Sequence, residues 1–332
     1  MYITETEQKI SKKGLDKVRL VPKDSVLVSC TATLGRIAIV KRPLTTNQQI
    51  NAVVCNDKIL PRYFAYIMEE IGKNMQYLTN NVGVKHINQE MLNNIQVPLP
   101  PLDVQQKIVD EIEKIEKLLS DSNKKIDKND KNITELLNNF KQKQEKLNEY
   151  IKLNEDTKNP KILKQDYFTY VDIDAVENGT GKINFNKQVE SQKAPSRARR
   201  VAHDKSILLS TVRPYLKAFA YIDNELENTI YSTGFAIIRS TDENKLLSKF
   251  LYYLFMYNNN LMEQMKAAMP KGQYPSINDK DIRNFLIPIP PIKEQEKIVS
   301  QIEELEKQIA EAHKVIDNSK QQKQAILDKY LK

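Results

Sequence analysis

Apolar residues recur every seven positions through the middle of the chain, at Ile112, Leu119, Ile126, Ile133, Phe140 and Leu147. A companion row holds Ile108, Ile115, Leu136 and Tyr150, with Ser122, Asn129 and Lys143 as polar breaks. Alternating steps of four and three mark a coiled-coil seam. Neither glycine nor proline interrupts the chain from Leu102 to Asn159, so the spacing predicts one long helix over residues 102–153. The end of the chain carries a second such row, Ile298, Ile302, Leu305, Ile309, Ala312, Ile316, Ile326 and Tyr330, broken at Ser319 and Lys323. This predicts a helix over 292–332. A lone helix with so narrow an apolar stripe is unstable in water, so the two helices are expected to pair as an antiparallel coiled coil.

Outside these helices the pattern is mixed. Short β-branched and apolar runs predict strands at Val26–Val28, Ile37–Val40, Ile207–Leu209, Ala218–Ile222 and Phe235–Ile238. A short helix is expected from Pro61 and another from Leu247, with Phe64 corresponding to Phe250 and Tyr66 to Tyr252. These likenesses belong to a larger repeat. Pro98, Pro100, Pro101, Gln105, Lys107, Ile108 and Val109 recur as Pro288, Pro290, Pro291, Gln295, Lys297, Ile298 and Val299. At the same shift of 190 residues, Ile87 and Asn88 recur as Ile277 and Asn278. A period this long is a whole domain present twice, not a solenoid unit. The expected fold is α+β, two similar mixed modules separated by two long helices. The boundaries are residues 1–101, the helix 102–153, residues 154–291 and the helix 292–332, with Asn154–Pro160 as a polar linker. Only 28 residues precede Ser29, fewer than separate the linker from its counterpart Ser210. The first module is therefore expected to lack its opening strand and loop.

Composition narrows the function classes. A hydrophobic share of 40% in 332 residues supports real cores. The formal net charge of +8 favours an anionic partner. Cys30 and Cys55 lack the spacing of a zinc site and read as reduced thiols. No apolar run approaches the roughly 20 residues that span a bilayer, and the polar start MYITETEQKI is no signal peptide. A cytoplasmic location is expected.

Catalytic signatures are missing. The run Gly179 to Lys182 (GTGK) lacks the earlier glycine and the following Ser/Thr of a phosphate loop, so it reads as a tight turn. His86, His203 and His313 form no metal or nucleophile motif. Basic loops are the positive finding. The second module offers Lys193, Arg197, Arg199 and Arg200, then Arg213, Tyr215 and Lys217, then Lys271, Gln273, Tyr274 and Ser276. The first offers Lys12, Lys13, Lys17 and Arg19, then Thr31, Thr33 and Arg36, then Lys85 and His86. Arg suits bidentate reading of guanine and Gln of adenine, whereas Lys and Ser mostly hold phosphates. Loops of this kind occupy matching places in both modules, just after Ser29 or Ser210 and just before the repeated Ile-Asn pair, which predicts DNA binding.

The order of module, proline hinge, long helix, module, proline hinge, long helix resembles the specificity subunit of type I restriction–modification systems, including the smaller specificity chains of bipartite type IIB enzymes. Pro98 to Val109, Pro288 to Val299, the two Ile-Asn pairs and the segment Ser232, Thr233, Gly234, Phe235 carry the likeness. The resemblance implies that each module is a target recognition domain reading one half of a split DNA sequence. It further implies a chain without an active site, whose helices set the half-site spacing and recruit two DNA adenine methyltransferase subunits, with a restriction and motor subunit beside them. S-adenosylmethionine, ATP and Mg are then expected on those partners and no cofactor on this chain. Two other readings compete: a coiled-coil adaptor without sequence-specific DNA binding, and a stand-alone nuclease or methyltransferase.

Overall fold

The computed structural model describes residues 1–31, 33–75, 86–140, 143–162, 165–270 and 275–331. The chain forms two compact units, Met1–Lys124 with Glu311–Lys332, and Lys125–Ala310. Both boundaries fall inside the long helices.

The first unit holds β1 (Tyr2–Ile3), α1 (Lys12–Leu15), β2 (Val26–Ser29), β3 (Ile37–Val40), β4 (Ile50–Val53), α2 (Pro61–Asn74), α3 (Gln89–Asn93) and the start of α4 (Leu102–Asn138). Its sheet runs β1-β3-β2-β4, antiparallel except where β1 joins β3. Alternation along β2 sends Val26 and Val28 toward Phe64, Ala65 and Met68 of α2, and Leu27 to a smaller cluster with Val21 and Val40. Pro61 opens α2 at a position where its missing N–H costs nothing.

The second unit holds β5 (Gln144–Lys146), β6 (Ile151–Leu153), β7 (Tyr167–Val171), β8 (Gln188–Glu190), β9 (Ala198–Arg200), β10 (Ser206–Ser210), β11 (Phe219–Ile222), β12 (Thr229–Ser232), β13 (Phe235–Ser240), α5 (Ser248–Tyr257), α6 (Asn259–Ala268), α7 (Asp279–Asn284), β14 (Leu286–Pro288) and the first part of α8 (Ile292–Leu331). Its sheets run β11-β10-β13-β6, β8-β7-β12-β9 and β14-β5. The hairpin pairings repeat between the units: Val28 faces Ile37 and Leu27 faces Ala52, as Leu209 faces Phe219 and Leu208 faces Ile237. The five expected strands are all present. Among the described residues, the first unit has no counterpart of the β8-β7-β12-β9 sheet.

Two repeated residues explain why the proline segment recurs. The Gln105 side chain is fully buried; its Oε1 accepts from Leu60 N (2.8 Å) and its Nε2 donates to Lys58 O (2.9 Å) and Pro100 O (2.8 Å). Gln295 does the same with Leu247 N (2.9 Å), Lys245 O (2.8 Å) and Pro290 O (2.8 Å). Each amide ties the start of a long helix to the start of the helix on its sheet and to the proline hinge. The Ile-Asn pair is equally concrete. Ile87 and Ile277 are buried, while Asn88 and Asn278 cap α3 and α7, accepting from Met91 N and from Lys280 N and Asp281 N.

Within each unit the two long-helix segments run antiparallel. In the first, Ile112 shares a cluster with Leu327, and Lys323 Nζ reaches Glu116 at 3.2 Å. In the second, Ile133 and Ile302 share a core and Asn129 Nδ2 donates to Gln308 Oε1 at 3.3 Å. The polar breaks in the seam are used. Asn129 and Ser319 are buried, and Lys323 also meets Glu69 at 3.1 Å.

Two sequence expectations are corrected. The first long helix ends at Asn138, not at residue 153. The turn between α5 and α6 caps it: Asn258 Nδ2 donates to Leu137 O (2.6 Å), and Asn138 Oδ1 accepts from Asn259 N (2.8 Å). Phe140, Leu147 and Tyr150 keep the seven-residue spacing but fill the core of the second unit, where β5 pairs with β14 and β6 with β13. Asn154–Pro160 is likewise no free linker. Asn154 Oδ1 accepts from Ile237 N (2.9 Å), Thr157 bridges Arg200, and Pro160 is buried. Spacing alone does not distinguish a helical seam from strand positions that reach the same core.

Candidate nucleic-acid interface

In each domain the backbone joins two of the predicted loops. In the first, Thr31 and His86 form an antiparallel bridge beside a hydrogen bond from Ile87 N to Cys30 O (3.0 Å), and Thr31 Oγ1 lies 2.9 Å from His86 Nδ1. In the second, Val212 and Ser276 form the corresponding bridge beside Ile277 N to Thr211 O (2.9 Å). The hairpin loop, β2–β3 or β10–β11, is therefore tied in both domains to the residue just before the buried isoleucine and the capped helix, although 55 residues separate Thr31 from His86.

The second domain adds a third segment. Thr211 donates through both N and Oγ1 to Gly234 O (2.9 Å each), and Thr233 N donates to Arg197 O (2.8 Å). The turn Thr233–Gly234 thus holds exposed Arg197 beside exposed Arg213 and the Ser276 bridge. Sequence reasoning did not place Thr233 and Gly234 in the site; glycine between two strands was the available signal. Arg199 and Arg200 behave differently. Successive residues of β9 face opposite sides; both are half-buried, and Arg199 Nη1 is spent on Ala198 O at 2.8 Å. Lys193 is paired with Glu190 at 2.6 Å, which raises its pKa. Burial, with Lys266 nearby, lowers that of Lys217, whose ammonium sits 5.8 Å from the Tyr257 ring centre.

In the first domain Thr33 and Arg36 lie exposed on the β2–β3 loop, where Arg36 N donates to Ser29 Oγ (2.9 Å). Lys12 and Lys13 lie on the exposed short helix α1 and Arg19 on the exposed segment after it; among the described residues no hydrogen bond ties them to the Thr31–His86 bridge. Lys85, Lys271, Gln273 and Tyr274 lie outside the described residues.

The β10–β11 loop is conformationally unusual. Arg213 has φ +47° and Lys217 φ +56°, bracketing a single 3-10 turn over Pro214–Leu216. A left-handed non-glycine residue costs about 1–2 kcal/mol, and a following proline favours an extended conformation for Arg213 over the one it holds. The corresponding position to Lys217 in the first domain is Gly35, φ +73°, where an added Cβ would sit 2.5 Å from Gly72 O of α2.

The remaining candidates resolve plainly. The GTGK run is a tight turn: Val176 bridges Ile183, and Gly179 and Gly181 have φ of +75° and +74°. His203 is clamped between Asp156 (Nε2, 2.6 Å) and Glu225 (Nδ1, 2.8 Å), which raise its pKa, Glu225 first. Cys30 and Cys55 are free thiols; burial pushes Cys55 up to about 11. Among the described residues no three His, Cys, Asp or Glu side chains are placed to hold a metal, and no helix is long and apolar enough to cross a membrane.

Known proteins are similar to this chain in sequence and in fold. The pattern of the type I restriction modification DNA specificity domain matches twice, at residues 2–131 and 125–319. The Type I restriction enzyme MjaIX specificity subunit of Methanocaldococcus jannaschii is 25% identical over 144 residues, 42% of this chain and 33% of that protein. This chain thus spans about a third of that relative. The MjaVIII specificity subunit of the same organism is 23% identical over 337 residues, covering 92% of this chain and 77% of its own length. The crystal structure of a type I restriction–modification S subunit from M. genitalium superposes with a TM-score of 0.57 at 14% identity, over 96% of this chain and 85% of that one, a likeness of fold.

Proposed function

We propose that this chain, which belongs to the type I restriction modification DNA specificity domain family, recognises double-stranded DNA through both domains, each reading one half of a split site, and itself catalyses nothing. One observation carries the reading. The same two loops are joined by the same backbone bridge in both domains, Thr31 with His86 and Val212 with Ser276, and each bridge lies beside an exposed arginine, Arg36 or Arg213.

Arg197 and Arg213 supply exposed guanidinium groups for guanine edges or phosphates in the second domain, and Arg36 with Thr31 and Thr33 supply the contacts of the first. Lys12, Lys13 and Arg19 are assigned to the phosphate backbone, where position matters less than charge. Two DNA adenine methyltransferase subunits, and a restriction and motor subunit, are the proposed partners, carrying S-adenosylmethionine, ATP and Mg.

Footprinting of the chain with its cognate methyltransferase, together with methylome sequencing of cells expressing both, tests the proposal. The expected result is a bipartite protected site that coincides with a bipartite methylated motif. Affinity should fall steeply with salt, by roughly 0.9 of a logarithmic unit per decade for each phosphate contacted. Protection of no defined sequence, with methylation unchanged on deleting the chain, would point to the adaptor reading instead.

A further inference from the structure

We propose that the turn Pro214–Leu216 is a rigid apolar reading element that sets Tyr215 and Leu216 against thymine 5-methyl groups in the major groove of the half-site read by the second domain. The inference rests on the DNA-recognition reading above.

Tyr215 is 42% exposed and Leu216 44% exposed, side by side at the tip of the β10–β11 loop, while Pro214 between them and Arg213 is buried. Nothing about this tip is slack. Leu216 N donates to Arg213 O and Lys217 N to Pro214 O, both at 2.9 Å. Arg213 N donates to Pro275 O at 2.8 Å, and Lys217 O accepts from Gly179 N at 2.9 Å. Both flanking residues hold left-handed conformations that non-glycine side chains avoid. Strain of this kind persists where surrounding structure over-determines it, and it concentrates at ligand-binding sites. Here it holds the ring of Tyr215 and the aliphatic side chain of Leu216 side by side at the surface, next to exposed Arg213.

The surroundings decide the occupant. Exposed Arg213 adjoins the tip, and exposed Arg197 is tied to the base of the same loop through Thr233 and Gly234, so an apolar protein surface or a membrane interior would bury unpaired guanidinium charge. Duplex DNA offers phosphates to those arginines and, in its major groove, one apolar group, the thymine methyl. The first domain has no such tip. The residues corresponding to Tyr215 and Leu216 are Thr33, exposed but polar, and Leu34, packed against the core, and Gly35 in place of Lys217 makes the left-handed turn without strain.

The complex with the cognate methyltransferase is bound to duplexes carrying the site found by methylome sequencing, with each thymine of the second-domain half replaced in turn by uracil. Binding should weaken roughly fourfold at one or more positions, the worth of one buried methyl-sized group. The double variant Tyr215→Ala, Leu216→Ala should bind thymine and uracil duplexes equally, with an unchanged salt slope and an unchanged unfolding midpoint. Tyr215→Phe should keep the thymine preference. Indifference of the unaltered complex to uracil, or a thymine preference that survives in the double variant, overturns the assignment, as does a half-site without thymine. A rise in 2-aminopurine fluorescence at a base step that disappears in the double variant also overturns it, in favour of a wedge between bases. Failure to protect any bipartite site is a separate result and counts against the recognition reading itself.

Discussion

Where the first domain turns its β2–β3 loop on Gly35, the second makes the same left-handed turn with Lys217 and adds another at Arg213. In the first domain the glycine also lets the loop touch Gly72 of α2 backbone to backbone, so that loop is fixed by close packing. In the second, the loop stands on hydrogen bonds to Pro275 and Gly179, and its tip carries exposed apolar side chains. Both domains keep one hairpin, one buried glutamine and one asparagine-capped helix. Shared elements therefore hold the scaffold, and the loops on it diverge, as expected where a common frame presents different contacts.

The strongest way to break this comparison is to remove the shared part. Gln105→Leu leaves Leu60 N, Lys58 O and Pro100 O without their partner, and Gln295→Leu does the same to Leu247 N, Lys245 O and Pro290 O. Each should destabilise its own domain by about 3–5 kcal/mol. Chemical unfolding combined with hydrogen exchange at the starts of α2 and α5 checks this, and a tolerated change at either site would end the claim of equivalence.

The turns come next. Gly35→Ala forces a left-handed alanine whose Cβ overlaps Gly72, with an expected loss of about 2–4 kcal/mol. Lys217→Gly meets no such contact and relieves a strained residue, so stability should stay within about 1 kcal/mol. Equal effects in thermal unfolding would mean the two loops are held alike.

The helix pairs sharpen the contrast further. In the first unit Lys323 is bound to Glu69 and Glu116, with Tyr66 Oη donating to Glu116 at 2.9 Å. In the second unit Ile133, Leu137, Ile298 and Ile302 close the seam. Lys323→Ala should cost about 1 kcal/mol. Molar salt should weaken protection of the C-terminal helical turns more than that of residues 292–305, read by hydrogen exchange.

The smallest effect is a pH dependence confined to the second domain. Glu225 and Asp156 hold the His203 pKa above its ordinary value, while Arg239 nearby opposes them. A raised folded pKa means this stabilisation is complete below the histidine's unfolded value and is lost as pH rises through the folded one. Stability of the second domain should therefore decline through that window, and His203→Asn should flatten the decline without altering the first domain.

Much of this was legible in the chain. The seven-residue spacing located both helices because a buried stripe must recur with the helical turn, and the 190-residue repeat by itself implies two related domains. Matching loop positions pointed to the two joined loops, since the hairpin shared by both domains returns equivalent loops to the same place. What sequence could not supply was the use of equivalent spacings by different structures. Phe140, Leu147 and Tyr150 continue the helical period yet belong to the core of the second domain, because the strand β14 and the asparagines at the α5–α6 turn compete successfully for that segment. Nor did residue type separate Arg213, held out beside an exposed apolar pair, from Arg199 and Lys217, which have the same charge but are turned toward their own fold. Periodicity reports that a side chain is buried; which neighbours bury it, and which loops converge on one surface, depends on long-range backbone pairing that only the folded chain establishes.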